Sequence, residues 1–235
     1  MTNSRQPVNG YSLVELLVAT VLFTIIAGTI FSLLFSAQLR YQGESGVTTA
    51  FQQANIAIDQ ITRDVHSAGY PPPSSFAASP PAPASDPRSM ALPFSWSPGY
   101  PNTPCTVGLG GCGTVPGDYD LILETDTGDG NGVQWIRYSL QGTTLMRGVT
   151  QKTAFSAFAD PVASTAGSLL PYLENLQNGQ GNNSTAIFSY GPLPLSQPSN
   201  IRTVNVVLIV QAAQPDPQTG QFRTISLTGQ AALFN

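Results

Sequence analysis

The chain has 235 residues, of which 9% are charged, with 9 Lys and Arg against 13 Asp and Glu and a formal net charge of -4. That length holds one anchor helix and one moderate globular domain with a core of its own. So sparse and acidic a charge gives little grip on phosphates, and direct nucleic-acid binding is not expected.

Residues 1–10 (MTNSRQPVNG) are polar, carry Arg5 and end in a glycine. From Leu16 to Phe35 the chain then reads LLVATVLFTIIAGTIFSLLF without a charge, about the 20 residues that cross the hydrocarbon of a bilayer as a helix. The small-residue junction precedes the apolar run, the reverse of an ordinary secretory signal peptide. Gly10-Tyr11-Ser12-Leu13-Val14-Glu15-Leu16-Leu17 resembles the type IV prepilin leader, with Tyr11 where Phe or Met is more usual. The resemblance implies cleavage between Gly10 and Tyr11 by a prepilin peptidase and N-methylation of Tyr11. Cleavage would expose an α-amino group at the membrane depth of Glu15 in a neighbouring subunit, where unit charges about 4 Å apart attract by ~4 kcal/mol at an effective dielectric near 20. Glu15 is therefore the expected assembly residue.

Beyond Arg40, Val47, Phe51, Ala54, Ile58, Ile61 and Val65 form a helical stripe, while Gln52, Gln53, Asp59, Gln60, Arg63 and Asp64 fall mainly off it. A single helix is expected from about Ser12 to Ala68, on the order of 85 Å long, with Gly43 and Gly46 as a bend or frayed point. Gly69 and the prolines from Pro71 end it. His66 lies where an imidazolium favours the helix dipole. Arg63-Asp64-Val65-His66-Ser67-Ala68-Gly69-Tyr70 resembles the RDxRxAGY segment of PilW-like minor pilins, related to the J-type pseudopilins of type II secretion, with His66 in place of the usual base.

Pro71 to Pro104 holds more than half of the 20 prolines and reads as an extended surface segment. Cys105 and Cys112 enclose a Gly-rich loop. In an oxidising periplasm they are expected to form a disulfide, with free structural thiols as the alternative. Strands follow at 119–124, 133–140 and 144–149 as a meander, at 186–190, and at 201–210 and 222–227 as a closing hairpin around Pro215–Gly220.

Asp118, Asp120, Glu124, Asp126 and Asp129 cluster with no Lys or Arg before Arg137. Asp126, Asp129 and Asn131 offer oxygens on a flexible backbone that suit Ca²⁺, though without EF-hand spacing. A solvated hairpin turn accounts for the same residues. No other cofactor is expected. The single His66 lies on the long helix, no motif surrounds a Ser or Cys nucleophile, and the chain reads as a non-enzyme.

The expected fold class is α+β, a long N-terminal helix packed on a mainly antiparallel β-sheet, which is the pilin fold the resemblance implies. Its parts are a leader (1–10), a transmembrane and assembly helix (11–40), the periplasmic half of that helix (41–69), a Pro/Gly-rich connection carrying both cysteines (70–117) and the sheet (118–235). The resemblance implies a minor pilin that enters or primes a type IV pilus. The alternatives are a J-type minor pseudopilin and a membrane-anchored binding module outside any filament. Expected partners are other pilin or pseudopilin subunits, prepilin peptidase, the inner-membrane assembly platform and the lipid bilayer. The expected location is the bacterial inner membrane as a single-pass protein with a periplasmic domain, then a periplasmic or cell-surface filament.

Overall fold

The structure is a computed structural model, and it describes residues 12–70, 94–96, 117–129, 132–152, 161–181, 185–192 and 201–233. Helix α1 (Leu13–Ser67) runs unbroken for 55 residues, about 82 Å. It is not interrupted at Gly43 or Gly46. Those glycines instead let the turn before the last strand approach the helix: a Cβ on Gly43 would stand 3.5 Å from Pro217 Cδ, and one on Gly46 would stand 4.0 Å from Ala212 Cβ.

The meander consists of β2 (Asp120–Asp126), β3 (Val133–Gln141) and β4 (Thr144–Gln151), each antiparallel to the next. Two short strands that the sequence pattern did not indicate complete its sheet: β1 (Phe94–Trp96) beside β2, and β5 (Leu170–Leu173) beside β4. A one-and-a-half-turn helix, α2 (Pro161–Ala166), precedes β5. A second antiparallel sheet holds β6 (Phe188–Gly191), β7 (Thr203–Gln211) and β8 (Thr224–Ala232) in that order. The expected single sheet is thus two sheets of five and three strands. The chain turns out of the first sheet and runs along the far half of β7, where Gln177 N–H donates to Ile209 O, Gln211 N–H donates to Asn175 O, and Leu176 pairs with Val210. Buried Asn178 fills the gap left by β6: its amide donates to Val207 O and Thr185 O, and its Oδ1 accepts from Ile209 N–H. A side-chain amide thereby continues the ladder that the backbone leaves.

The core lies between α1 and the sheets. Ala50, Ala54, Ala57, Ile58, Ile61, Asp64, Val65 and Ala68 are buried. Phe51, expected on the inner stripe, is 49% exposed. The buried face is built on alanines, which let the helix axis approach the sheet, so a bulky ring is left on its flank. The closest approach is at Gly229, where an added Cβ would stand 2.4 Å from Ile58 Cγ2.

Candidate assembly site

The head of α1 is closed by its own side chains. Ser12 is the N-cap, with Oγ accepting from Val14 N–H at 3.2 Å, and Glu15 reaches back so that Oε2 accepts from Ser12 N–H at 2.9 Å. This capping box satisfies orphan donors of the first turn, and the carboxylate lies at the positive end of the helix dipole. Glu15 is exposed, and within one chain its partner is the Ser12 amide. Gly10 and Tyr11 lie outside the described residues.

The apolar run that follows is almost wholly exposed, with Leu16, Phe23, Phe31 and Phe35 each more than half accessible. An uncovered apolar surface of this extent is untenable in water, and the segment is long and apolar enough to cross a membrane. Its hydroxyls are satisfied locally. Thr20, Thr24 and Thr29 donate to the carbonyls of Leu17, Val21 and Ile26 at 2.7–2.9 Å, and Ser36 donates to Ser32 O at 2.9 Å, so these four hydroxyls find partners within the helix without water.

At the other end, α1 is held to the first sheet by the Asp64–Arg147 ion pair and by hydrogen bonds. Asp64 lies on the buried face, seven residues after Ala57, and not off the stripe as its charge suggested. Its Oδ2 accepts from Tyr138 Oη at 2.5 Å and from Arg147 Nη2 and Nε at 2.9 and 3.2 Å, while Oδ1 accepts from Gln60 Nε2 at 2.8 Å. Burial, with the Asp64 charge adding to it, pushes the Tyr138 hydroxyl far above its usual range, so it stays a donor. The helix exit is stitched to β2: Thr125 Oγ1 donates to Ser67 O at 2.6 Å, Gly69 N–H to Glu124 O at 2.7 Å, and Asp126 N–H to Tyr70 O at 2.9 Å. Gly69, at φ 81°, takes the left-handed conformation that this exit requires. His66 is half-buried in the last turn.

The acidic cluster is divided among separate partners. Lys152 Nζ donates to Glu124 Oε2 at 2.6 Å and Trp135 Nε1 to its Oε1 at 2.9 Å, all three side chains being buried. Arg137 grips Asp120 through both oxygens, at 3.0 and 2.6 Å. Burial raises the Asp120 carboxyl above its ordinary range despite that partner. Asp126 Oδ1 accepts from Gly128 N–H at 2.8 Å and Asp129 Oδ2 from Gln134 Nε2 at 2.5 Å, hydrogen bonds that shape the hairpin turn. Asn131 lies outside the described residues, as do Cys105 and Cys112. Among the described residues no group of three or more His, Cys, Asp or Glu is placed to hold a metal ion.

In the turn between β7 and β8, Asp216 accepts from Gln218 N–H at 2.8 Å and from Arg223. The Gln218 amide, followed by Arg223, lowers its pKa.

A cleft of about 630 Å³ opens between α1 and β5, lined by Gln42, Thr49, Gln53, Tyr172, Glu174 and Gln211 among others. Its titratable side chains are Tyr41, Tyr172 and Glu174.

The sequence singled out Glu15 as the expected assembly residue; it did not indicate the Asp64–Tyr138–Arg147 cluster, whose only signal was an acid recurring at helical spacing from Ala57 and Ile61. Comparison with known families finds the prokaryotic N-terminal methylation motif at residues 5–31. No curated protein and no solved structure matches the chain.

Proposed function

We propose that this chain is a PilW-like minor pilin, cut after Gly10, N-methylated on Tyr11 and built into a type IV pilus or the complex that starts one. The observation that carries this reading is the methylation motif at residues 5–31, set on a helix whose apolar run is exposed and whose first turn holds a single carboxylate. The motif supports a type IV pilin-like or pseudopilin-like protein in general, and the exposed apolar helix is consistent with anchoring in a membrane. The minor-pilin role rests further on the resemblance of residues 63–70.

The mechanism follows from the two states of Glu15. In a lone subunit its carboxylate caps its own helix at Ser12 N–H and can meet headgroup water. In an assembled array it faces the new α-amino group of a neighbour, whose reference pKa of about 7.7–8.0 keeps much of it protonated. Exchanging a neutral amide for a cation strengthens the contact, because a charge-assisted hydrogen bond is roughly twice as strong as a neutral one. Within one chain residue 15 lies about 6 Å further along the axis than residue 11, so a staggered neighbour pairs both charges better than self-contact does.

Co-expression with a prepilin peptidase, followed by mass spectrometry, tests the reading. The expected product begins at N-methylated Tyr11, and an intact leader or a cut after Phe35 would overturn it. Co-purification from membranes with secretion pseudopilins, and not with pilus subunits, would move the chain to the J-type role.

A further inference from the structure

β7 takes one edge of β8, and among the described residues no strand takes the other. Exposed edges are normally blunted by charges, prolines, bulges or short length, because a bare row of N–H and C=O groups pairs with any strand that reaches it. β8 has none of these. Its nine residues, TISLTGQAA, include no charge and no proline, and its register on β7 runs unbroken from Gln211↔Thr224 to Thr203↔Ala232.

The side of β8 that faces α1 is apolar. Gly229 faces Ile58 and Thr62, so by strand alternation Ile225, Leu227 and Ala231 also turn toward α1. The helix packs more on β8 than on β7. Gly46 meets Ala212, which bonds Arg223 just before β8 starts, so β8 runs in the same direction as α1. Phe51 lies seven residues before Ile58 on the same flank, about 10 Å nearer the membrane, and that is the span of about three strand residues back from Gly229. Phe51 is 49% exposed, and Ile225 and Leu227 on the helix-facing side of β8 are half-buried.

We propose that the outer edge of β8 accepts an extended segment of another exported polypeptide, uncharged over the paired residues, which adds a strand to the sheet and lays an apolar side chain against Phe51. A second copy of this chain does not meet these requirements. Antiparallel β8–β8 pairing uses a two-fold axis normal to the sheet, which reverses α1 as well and points the two apolar helices in opposite directions, away from a common bilayer. Parallel pairing uses an axis along the strands, which turns the second sheet over and sets its Thr224, Ser226, Thr228 and Gln230 face under Phe51. That the segment is met outside the cytoplasm rests on the pilus-subunit reading; strand addition at the edge does not.

The test uses the full chain in detergent micelles and a fluorescein-labelled, capped peptide of four Thr-Val repeats flanked by lysines. Two isomers are N-methylated on one or the other alternate set of amides. Fluorescence anisotropy should show saturable binding of the parent peptide and of one isomer, and at least tenfold weaker binding of the other, because only one edge of the peptide faces β8. Phe51→Gln and Thr228→Lys, both at exposed positions, should weaken the parent peptide several-fold with unchanged circular dichroism. Absence of saturable binding, or equal binding of both isomers, overturns the proposal without touching the processing test above. A dimer of the unmodified chain in detergent that Thr228→Lys abolishes would also overturn it, by making a second copy the occupant. The isomer comparison stands even where a variant fails to fold.

Discussion

Replacing Asp64 asks whether α1 is fixed to the first sheet by its ion pair or only by its apolar face. The carboxylate accepts from Arg147 Nη2 and Nε at 2.9 and 3.2 Å and from Tyr138 Oη at 2.5 Å. Removing one member of a buried ion pair costs about 3–5 kcal/mol. The Arg147 side chain is 24% accessible, so it regains part of its hydration and the lower end of that range applies to Asp64→Ala, about 3 kcal/mol. At roughly 2–4 °C per kcal/mol for a domain of this size, the melting midpoint should fall by about 6–12 °C. Asp64→Asn keeps an acceptor for Tyr138 and should fall less. The assay is thermal melting of the full chain in detergent, read by near-ultraviolet circular dichroism of the aromatic core, with Arg147→Met completing a double-mutant cycle. The double variant should lie closer to wild type than either single variant, since it leaves no uncompensated charge. A loss below about 1 kcal/mol for Asp64→Ala, or strict additivity in the cycle, would refute the anchoring role; surface pairs reach only that level.

Gly229→Ala should destabilise the chain by about 1–3 kcal/mol through overpacking, because the new methyl would stand 2.4 Å from Ile58 Cγ2; combining it with Ile58→Ala should cost less than the sum, and additive melts would discount the contact. Asp216 and Asp120 should give opposite pH slopes. The depressed Asp216 pKa adds stability above the unfolded value near 3.9 that is lost as pH falls through the folded value, whereas the raised Asp120 pKa makes stability decline as pH rises from the unfolded to the folded value. Denaturation from pH 2.5 to 6 should therefore show Asp216→Asn flattening the acid-side loss and Asp120→Asn removing the opposing decline, and slopes of the same sign would contradict the assignment. Glu15→Leu should insert and be processed normally yet fail to co-purify with partner pilins from sheared filaments; equal incorporation would show the carboxylate to be incidental. Cys105 and Cys112 should resist thiol labelling in the purified chain without reductant, and quantitative labelling of both would rule out the bridge.

The N-terminal half was legible because its determinants are local. Ser12 and Glu15 are three residues apart, the apolar run is contiguous, and the glycine and prolines that stop α1 follow it directly. The meander and the closing hairpin were legible for a similar reason: alternating residues bounded by Gly and Asp turns carry their own register. β1 is three residues long, and β5 carries Pro171, so neither rises above its surroundings. The division into two sheets depends on Leu176 meeting Val210 and on Asn178 bridging β7, contacts between segments about 30 residues apart that no local pattern records.

The carboxylates show the same boundary from the side of charge. Read along the chain, Asp120, Glu124 and Asp126 form one acidic patch; in the fold they share one face of β2, yet each meets its own partner, Asp120 pairing with Arg137 and Glu124 with Lys152, while Asp64 from the helix finds Arg147. With Arg223 on Asp216, the basic side chains of Arg137, Arg147, Lys152 and Arg223 are each engaged in an ion pair with a carboxylate that is buried or nearly so. In a chain this poor in charge, that allocation favours geometry over solubility. The inner face of α1 is alanine-rich, and a smooth small-residue face could settle on a sheet in more than one register with similar apolar burial. A carboxylate that must meet both a guanidinium and a phenol, with Thr125 and Gly69 bonding the helix exit to β2, admits one. Glu15 stands some 75 Å along the helix from the Asp64 contact, at 1.5 Å per residue over the intervening turns; under the pilus-subunit reading proposed above, fixing the helix on the sheet also fixes where that carboxylate would meet a neighbour.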